Sequence, residues 1–580
     1  MTGTSATVTP HTKEGEVLDR RSTVVDRIDE AIRRFPDAAA IRNAERLLTY
    51  REFGGLVDDF ARLLSERTGP GEFVGIGSHR DIGAVVAIVG ALKARRPFVV
   101  VDGRDSAASN RAKVGLLGLR TLADTTAPDG GVTLGDVPEQ WLPAGSPPRP
   151  PLPDDVGYAI HTSGSTGRPK CVLVRADPLA LVVRDHVDRL EVGPGSRTLQ
   201  FARLTFDGCL TEILWTLTAG ACLVVLDEQR LTPGTVLAET LEEFGITHLK
   251  TTPFALTVTE PTPGMRLRHV INGGGPCRPS VIRTWSTASA FHNAYGLTET
   301  AVCNLLSDPL APEAHRHAVP LGTVVGACGY HLRPVAGEES VTGRGELVVT
   351  GESVALGYLT EEGLSPFGAP GTEPAYATGD IVEERDGALY FVERVDRQVK
   401  VRGYRLDPGE IENAVCRLDG VLDAVVAAEA HDGLRGGDPD VLVCYYRGGG
   451  DPRLLRKGLE AVLDPYKIPS VFERVEVFPH TPNGKIDRDA LGAGRREHLT
   501  PPDTPEAGAD QRILHLVRNL TGVEDIGLED NFFDVGGDSA TAVVLVTQMR
   551  GLGWVDAGVR DVLRAENLRV LAEQLQERGV

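Results

Sequence analysis

Between two apolar runs the chain reads His161-Thr-Ser-Gly-Ser-Thr-Gly-Arg-Pro-Lys170, and this segment narrows the architectures open to it. Val156-Gly-Tyr-Ala-Ile160 before it and Cys171-Val-Leu-Val174 after it have the length and apolar character of buried strands. The segment is therefore a turn between strands, not the strand-to-helix turn of a Walker loop, and Pro169 stands where that loop needs Gly. Gly164 and Gly167 let the backbone approach a ligand closely. Their bare N–H groups, the hydroxyls of Thr162, Ser163, Ser165 and Thr166, and Lys170 form a cradle for an anion rich in oxygens, such as a triphosphate.

Around this loop strands and helices alternate. A helix is expected over 25–34, another beginning at 48–53 with Thr49 as cap and Glu52 three residues on, strands at 74–77 and 98–102, and a helix between them over 82–93. Alternation of this kind implies an α/β layer with mostly parallel strands. It resumes from 154 to 394, with 201–207, a strand at 223–226, and 269–275. The Pro-rich stretch 145–153 reads as an exposed connection into the loop. After the charge-dense run 392–402, a strand at 422–428 and a helix at 452–463 mark a smaller α+β unit. Ile513, Leu516, Val517 and Leu520 recur at helical spacing in the tail. The expected divisions are a disordered leader 1–23, a large α/β subdomain 24–395, a small α+β subdomain 396–493, a linker 494–508 and a four-helix bundle 509–580.

A net charge of −20 argues against nonspecific binding to nucleic acid or anionic membranes. The eight cysteines include no C-x-x-C pair, which points to reduced, buried thiols in a cytoplasmic protein. No apolar run is long enough to span a bilayer, and the Thr-rich start lacks the apolar core of a signal peptide.

The segments 162–170, Asn293-Ala-Tyr-Gly-Leu-Thr-Glu299, Tyr376-Ala-Thr-Gly-Asp380, Arg394-Val-Asp-Arg-Gln-Val-Lys400 and Asn483-Gly-Lys485 follow in an order that resembles the adenylate-forming enzymes, above all the adenylation domains of nonribosomal peptide synthetases. The tail, with Gly536-Gly-Asp-Ser539, resembles a peptidyl carrier protein. The resemblance implies ATP, Mg²⁺ and 4′-phosphopantetheine as cofactors. It implies that Thr162 to Gly167 and Lys170 hold the β- and γ-phosphates, that Asn293 and Tyr295 contact adenine with Thr298 beside them in the ATP site, and that Glu299 ligates Mg²⁺. Asp380 would grip the ribose and Arg394 the nucleotide; Asp396 would be the hinge; Lys485 would bridge substrate carboxylate and α-phosphate; Ser539 would carry the phosphopantetheine arm.

By the same resemblance Asp207 matches the aspartate that pairs with an α-ammonium, so an α-amino acid is expected. The pocket lining would be Asp207, Gly208, Thr211, Lys250, Ile271, Gly273, Ala294, Val302 and Cys303. A pocket-facing Lys250 would call for an anionic side chain, and its pairing with Thr211 resembles aspartate- and asparagine-activating domains, so aspartate or a substituted aspartate is the expected substrate. Cys171, Leu297, Glu393, Arg95 and Arg96 depart from the family's usual residues without removing a catalytic group. The expected activity is ATP-dependent amino acid activation and loading of the chain's own carrier as a free-standing module. The expected partners are a phosphopantetheinyl transferase, a downstream tailoring or condensation enzyme in trans, and a small MbtH-like activator. The alternatives are an acyl- or aryl-CoA ligase and a non-catalytic carrier scaffold.

Overall fold

The computed structural model describes residues 22–143, 152–162, 170–315, 318–335, 343–369, 371–395, 398–429, 441–479, 486, 488, 490–492, 508–521, 523, 525–537, 539–554 and 556–577. Two large sheets organise the first two-thirds of the chain. In an eight-stranded sheet, Val74–Gly77 and Phe98–Val101 run parallel to Val156–Thr162, which turns back on Lys170–Arg175. His161 pairs with Cys171 and Thr162 with Lys170, so the loop does join two antiparallel strands. In a nine-stranded sheet, Arg197–Leu199, Cys222–Val224, His248–Thr251, His269–Asn272 and Ala290–Tyr295 are parallel neighbours or near neighbours.

The helices between the sheets are there because of their composition. Ile82–Lys93 is apolar on every side and buried from Ile82 to Leu92, as a helix with no polar face must be. It shares one core with Gly208–Thr218, with Ile76, Val100 and Tyr158 of one sheet, and with Ile41, Leu223 and Ile271 of the other. Tyr50–Arg67 opens on the expected capping box: Thr49 Oγ1 accepts from Glu52 N at 3.3 Å, and the Glu52 carboxylate accepts from Thr49 N at 2.8 Å.

Past residue 395 the chain builds a smaller α+β unit. A hairpin of Val399–Val401 and Tyr404–Leu406 precedes the helix Pro408–Val415. Val421–Glu429 and Val441–Gly448 pair antiparallel, Val471–Arg474 joins in parallel, and Pro452–Glu460 packs alongside. Four helices follow among the described residues of the tail: Ala509–Thr521, Ser539–Gly551, Val559–Arg564 and Leu568–Glu577. Ile513, Leu516, Val517 and Leu520 all face their common core with Phe532, Met549 and Leu571. Among the described residues no helix is long and apolar enough to cross a membrane. The cysteines are all free, but the expectation that they are buried fails at Cys416, which caps Pro408–Val415 and is exposed, and holds only in part at Cys277 and Cys328, which are half-buried.

The three parts touch. Phe254 and Val258 of the large subdomain pack on the helical bundle, and Arg560 reaches Glu239 at 2.8 Å. Arg453 of the small subdomain bonds the carbonyl of Asp525 and lies 3.8 Å from Asp530. A cleft of about 360 Å³ between small subdomain and bundle is lined by Arg453, Arg456, Lys457, Phe472, Val523 and Phe533.

Candidate active site

The sheet edges bring the predicted motifs to one place. The strand Gly357–Thr360 pairs antiparallel with Lys170–Arg175, with Tyr358 opposite Val172. The Lys170 ammonium consequently lies 3.8 Å from the centre of the Tyr358 ring. The Tyr358 hydroxyl donates to Glu299 Oε1 at 2.6 Å and lies 2.9 Å from that of Tyr376. Glu299 sits in the short turn Thr298–Thr300, almost wholly buried, and its Oε2 accepts from Arg405 at 2.9 Å. Burial alone would raise its carboxyl, but Arg405, the Tyr358 hydroxyl and Lys170 hold it below the usual range, so it is an anion. A buried, ionised carboxylate is the oxygen donor a hard divalent metal takes, and in this structure Arg405 and the Tyr358 hydroxyl occupy its two oxygens.

A second cluster lies beside it. Asp380 accepts a hydrogen bond from Tyr295 at 2.6 Å and pairs with Arg394, whose guanidinium also reaches Thr378 O and Gln398. The Asn293 amide donates to Pro320 O at 2.9 Å and accepts from Asn272, its neighbour in strand register, at 3.0 Å. Ser163, Gly164, Ser165, Thr166 and Gly167 lie outside the described residues, as do Asp396 and Lys485; Thr162 ends its strand.

The third cluster lies at the start of Gly208–Thr218. Asp207 is buried, and its Oδ2 has no hydrogen-bond partner among the described residues. Burial pushes its carboxyl up to about 6, opposed by a hydrogen bond from Thr298 and by Lys250. Lys250, half-buried on His248–Thr251, donates to Thr211 Oγ1 at 2.7 Å. Its chain passes between two glycines: a Cβ on Gly273 would stand 3.3 Å from Lys250 Cε, and one on Gly208 would stand 3.8 Å from Nζ. Ile271, Ala294 and Cys303 are buried, and Val302 takes a left-handed φ of 74°. The structure thus joins Thr211 with Lys250, which are 39 positions apart.

Sequence reading missed Arg405, Tyr358 and Glu212. Glu212 is fully buried one turn beyond Gly208, accepts from the backbone of Phe201 and Ala202, and has its carboxyl pushed up to about 7 by burial. Its position five residues after Asp207 on an otherwise apolar helix was the available signal. Cys171 lies 3.0 Å from His161 Nε2 and is buried in the core, a packing role.

Ser539 is the first residue of its helix, following a glycine turn built for close contact: Gly536 has a φ of 104°, and a Cβ on it would lie 2.8 Å from the Arg456 guanidinium. A Cβ on Gly537 would lie 2.3 Å from the Phe532 ring.

Known proteins agree with this assembly. The family model "AMP-binding enzyme" matches residues 28–359, more than half of the chain; "AMP-binding enzyme C-terminal domain" matches 410–485 and "Phosphopantetheine attachment site" 511–575. Novobiocin biosynthesis protein H of Streptomyces niveus is 31% identical over 95% of this chain and 96% of its own. Bacitracin synthase 3 of Bacillus licheniformis is 31% identical over 94% of this chain and 9% of its own length. The chain spans between 7% and 15% of several such large synthetases. The structure of holo-PA1221, an NRPS protein containing adenylation and PCP domains bound to a vinylsulfonamide inhibitor, superimposes with a TM-score of 0.75 at 26% identity, covering 96% of this chain and 97% of that one. The chain therefore belongs to the AMP-binding, adenylate-forming enzyme family, as an adenylation unit of the nonribosomal peptide synthetase kind joined to a phosphopantetheine carrier domain.

Proposed function

We propose that this chain activates an amino acid, aspartate or a substituted aspartate, as its adenylate and loads it as a thioester on its own carrier domain. The observation that carries the reading is the unpartnered, buried Oδ2 of Asp207. A carboxylate in that position needs a counter-cation, and the α-ammonium of an amino acid supplies one; an aryl or fatty acid does not. Lys250 supports the finer choice. Among the described residues its ammonium donates to Thr211 Oγ1 at 2.7 Å and reaches Gly208 O at 3.5 Å, and a β-carboxylate is the side chain that would complete its hydrogen bonding.

The residues divide the work. Asp207 and Lys250 hold the two ends of the substrate so that its α-carboxylate faces the nucleotide. Asp380 and Arg394 would grip the ribose, and Lys170 with the 163–167 loop would neutralise phosphate. Lys485 stabilises charge on the pentavalent transition state as the carboxylate oxygen attacks the α-phosphate and pyrophosphate leaves. Mg²⁺, held by Glu299, would screen the repulsion between carboxylate and phosphates. Phosphopantetheine on Ser539 would supply the thiol that receives the acyl group while AMP leaves.

The end-to-end match with novobiocin biosynthesis protein H supports a free-standing loading unit that serves a tailoring or condensation enzyme in trans in antibiotic-type biosynthesis. In this reading it works in the cytoplasm, is primed by a phosphopantetheinyl transferase, and is open to an MbtH-like activator. The test is intact-mass spectrometry of the protein treated with a phosphopantetheinyl transferase, CoA, ATP, Mg²⁺ and each amino acid in turn. A pantetheine shift followed by an aspartate-sized shift is expected; loading of a neutral amino acid would discard the Lys250 assignment.

A further inference from the structure

Arg405 and Glu299 are held by different subdomains. Glu299 belongs to the large one, while Arg405 lies on the hairpin Val399–Val401/Tyr404–Leu406 of the small one. The hairpin tip is seated tightly: Gly403 has a φ of 85°, and a Cβ on it would stand 2.4 Å from the Thr252 side chain. With the tip seated, Arg405 reaches Oε2 at 2.9 Å, and Tyr358 fills Oε1 at 2.6 Å. With its side chain 1% exposed, Glu299 is a buried anion whose counter-charges here are Arg405 at 2.9 Å and, more weakly, Lys170 of the large subdomain. Were the hairpin withdrawn, the guanidinium would leave with it.

We propose that Arg405 and the divalent cation are alternative counter-charges for Glu299, so that seating the small subdomain against the docked carrier and holding metal–pyrophosphate exclude one another. This rests on the adenylation reading above. A guanidinium and a hard dication compete for one oxygen and repel each other at that range. By linkage, each lowers the affinity of the site for the other. Release of metal with pyrophosphate then frees Glu299 for Arg405, and the seated hairpin coincides with the contacts of Arg453 to Asp525 and of Arg560 to Glu239 that hold the carrier. Arg405 is a positioning residue: it orders the two half-reactions without touching substrate.

The experiment uses the full-length holo protein carrying a dye pair at exposed Glu30 and Asp419, one on each subdomain, titrated with MgCl₂ at fixed pyrophosphate. Energy transfer in the wild type is expected to shift as the hairpin is displaced. Arg405→Met should shift at a magnesium concentration about tenfold lower, and Arg405→Lys in between. Thioester loading should fall with Arg405→Met and be partly rescued by Arg405→Lys. Equal midpoints for all three proteins, or a wild type whose transfer ignores magnesium–pyrophosphate, would overturn the proposal. Amino-acid-dependent ATP–pyrophosphate exchange by the wild type is measured alongside: its absence would remove the adenylation reading itself, whereas normal exchange with equal midpoints removes only the role of Arg405.

Discussion

The Lys250 ammonium donates to the Thr211 hydroxyl across 2.7 Å, joining the strand His248–Thr251 to the helix Gly208–Thr218. If this ammonium reads the substrate side chain, Lys250→Met should lower kcat/KM for aspartate by about 10- to 100-fold, the worth of a hydrogen bond to a charged group. Small neutral amino acids should gain relative to aspartate. ATP–pyrophosphate exchange across an amino acid panel checks this, and an unchanged ranking would remove Lys250 from the specificity set.

Asp207 sets a pH dependence. Its carboxyl is pushed up to about 6 by burial, and only the ionised form attracts an α-ammonium. In the free enzyme kcat/KM for the amino acid should be flat above neutrality and fall about tenfold per pH unit below about 6. Asp207→Asn should abolish that limb and raise KM for every amino acid. Initial rates of exchange between pH 5 and 8 test both statements.

Ser539→Ala should leave exchange intact and eliminate the pantetheine mass shift. Lys485→Ala should do the reverse: phosphopantetheine still attaches, while adenylation falls by about 10²–10³. Intact mass and exchange on the two variants separate the half-reactions.

His248, His269 and His292 stack on adjacent strands, with ring centres 5.1 and 5.3 Å apart, and all are buried. Burial pushes His248 and His269 down to about 4 and lowers His292, while His186 against Trp215 falls to about 3. Because these folded values lie below the unfolded 6.5, the unfolded chain takes up protons first. Their contribution to stability is complete above about pH 6.5 and is lost as pH falls towards 4, on the order of 3 kcal/mol for His248. Urea midpoints at pH 7.5 and 5 should differ accordingly, and His269→Gln should narrow the gap.

Carrier docking offers a charge-reversal test. Arg560 and Glu239 are each about half exposed, so their bridge is a modest one. Arg560→Glu should slow loading a few-fold without changing exchange, and adding Glu239→Arg should restore it. Single-turnover acylation of the holo protein is the measurement.

Local patterns carried much of this into view before any coordinates. The paired strands around the 162–170 loop follow from two apolar runs flanking glycines, and the cap at Thr49 from Glu52 three residues on. The core face of Ala509–Thr521 follows from helical spacing. Thr211 and Lys250 were reached only through motif order, since nothing local joins positions on a helix and a distant strand. Arg405 escaped because its partner is 106 residues away on another subdomain, and no periodicity reports such a contact. The histidine stack escaped for the same reason: strand adjacency, not sequence, aligns the three rings.

Phe206 and Asp207 are consecutive but face different tasks. The Phe206 ring packs edge-on against Tyr404 and Tyr466 of the small subdomain, at 5.1 and 5.9 Å between centres, while Asp207 lines the pocket. Retooling this protein for another building block is therefore not a matter of pocket residues alone. A transplanted segment that brings a foreign residue to position 206 would disturb the seam with Tyr404 and Tyr466, and a chimera that recognises its new substrate well would still stall at delivery.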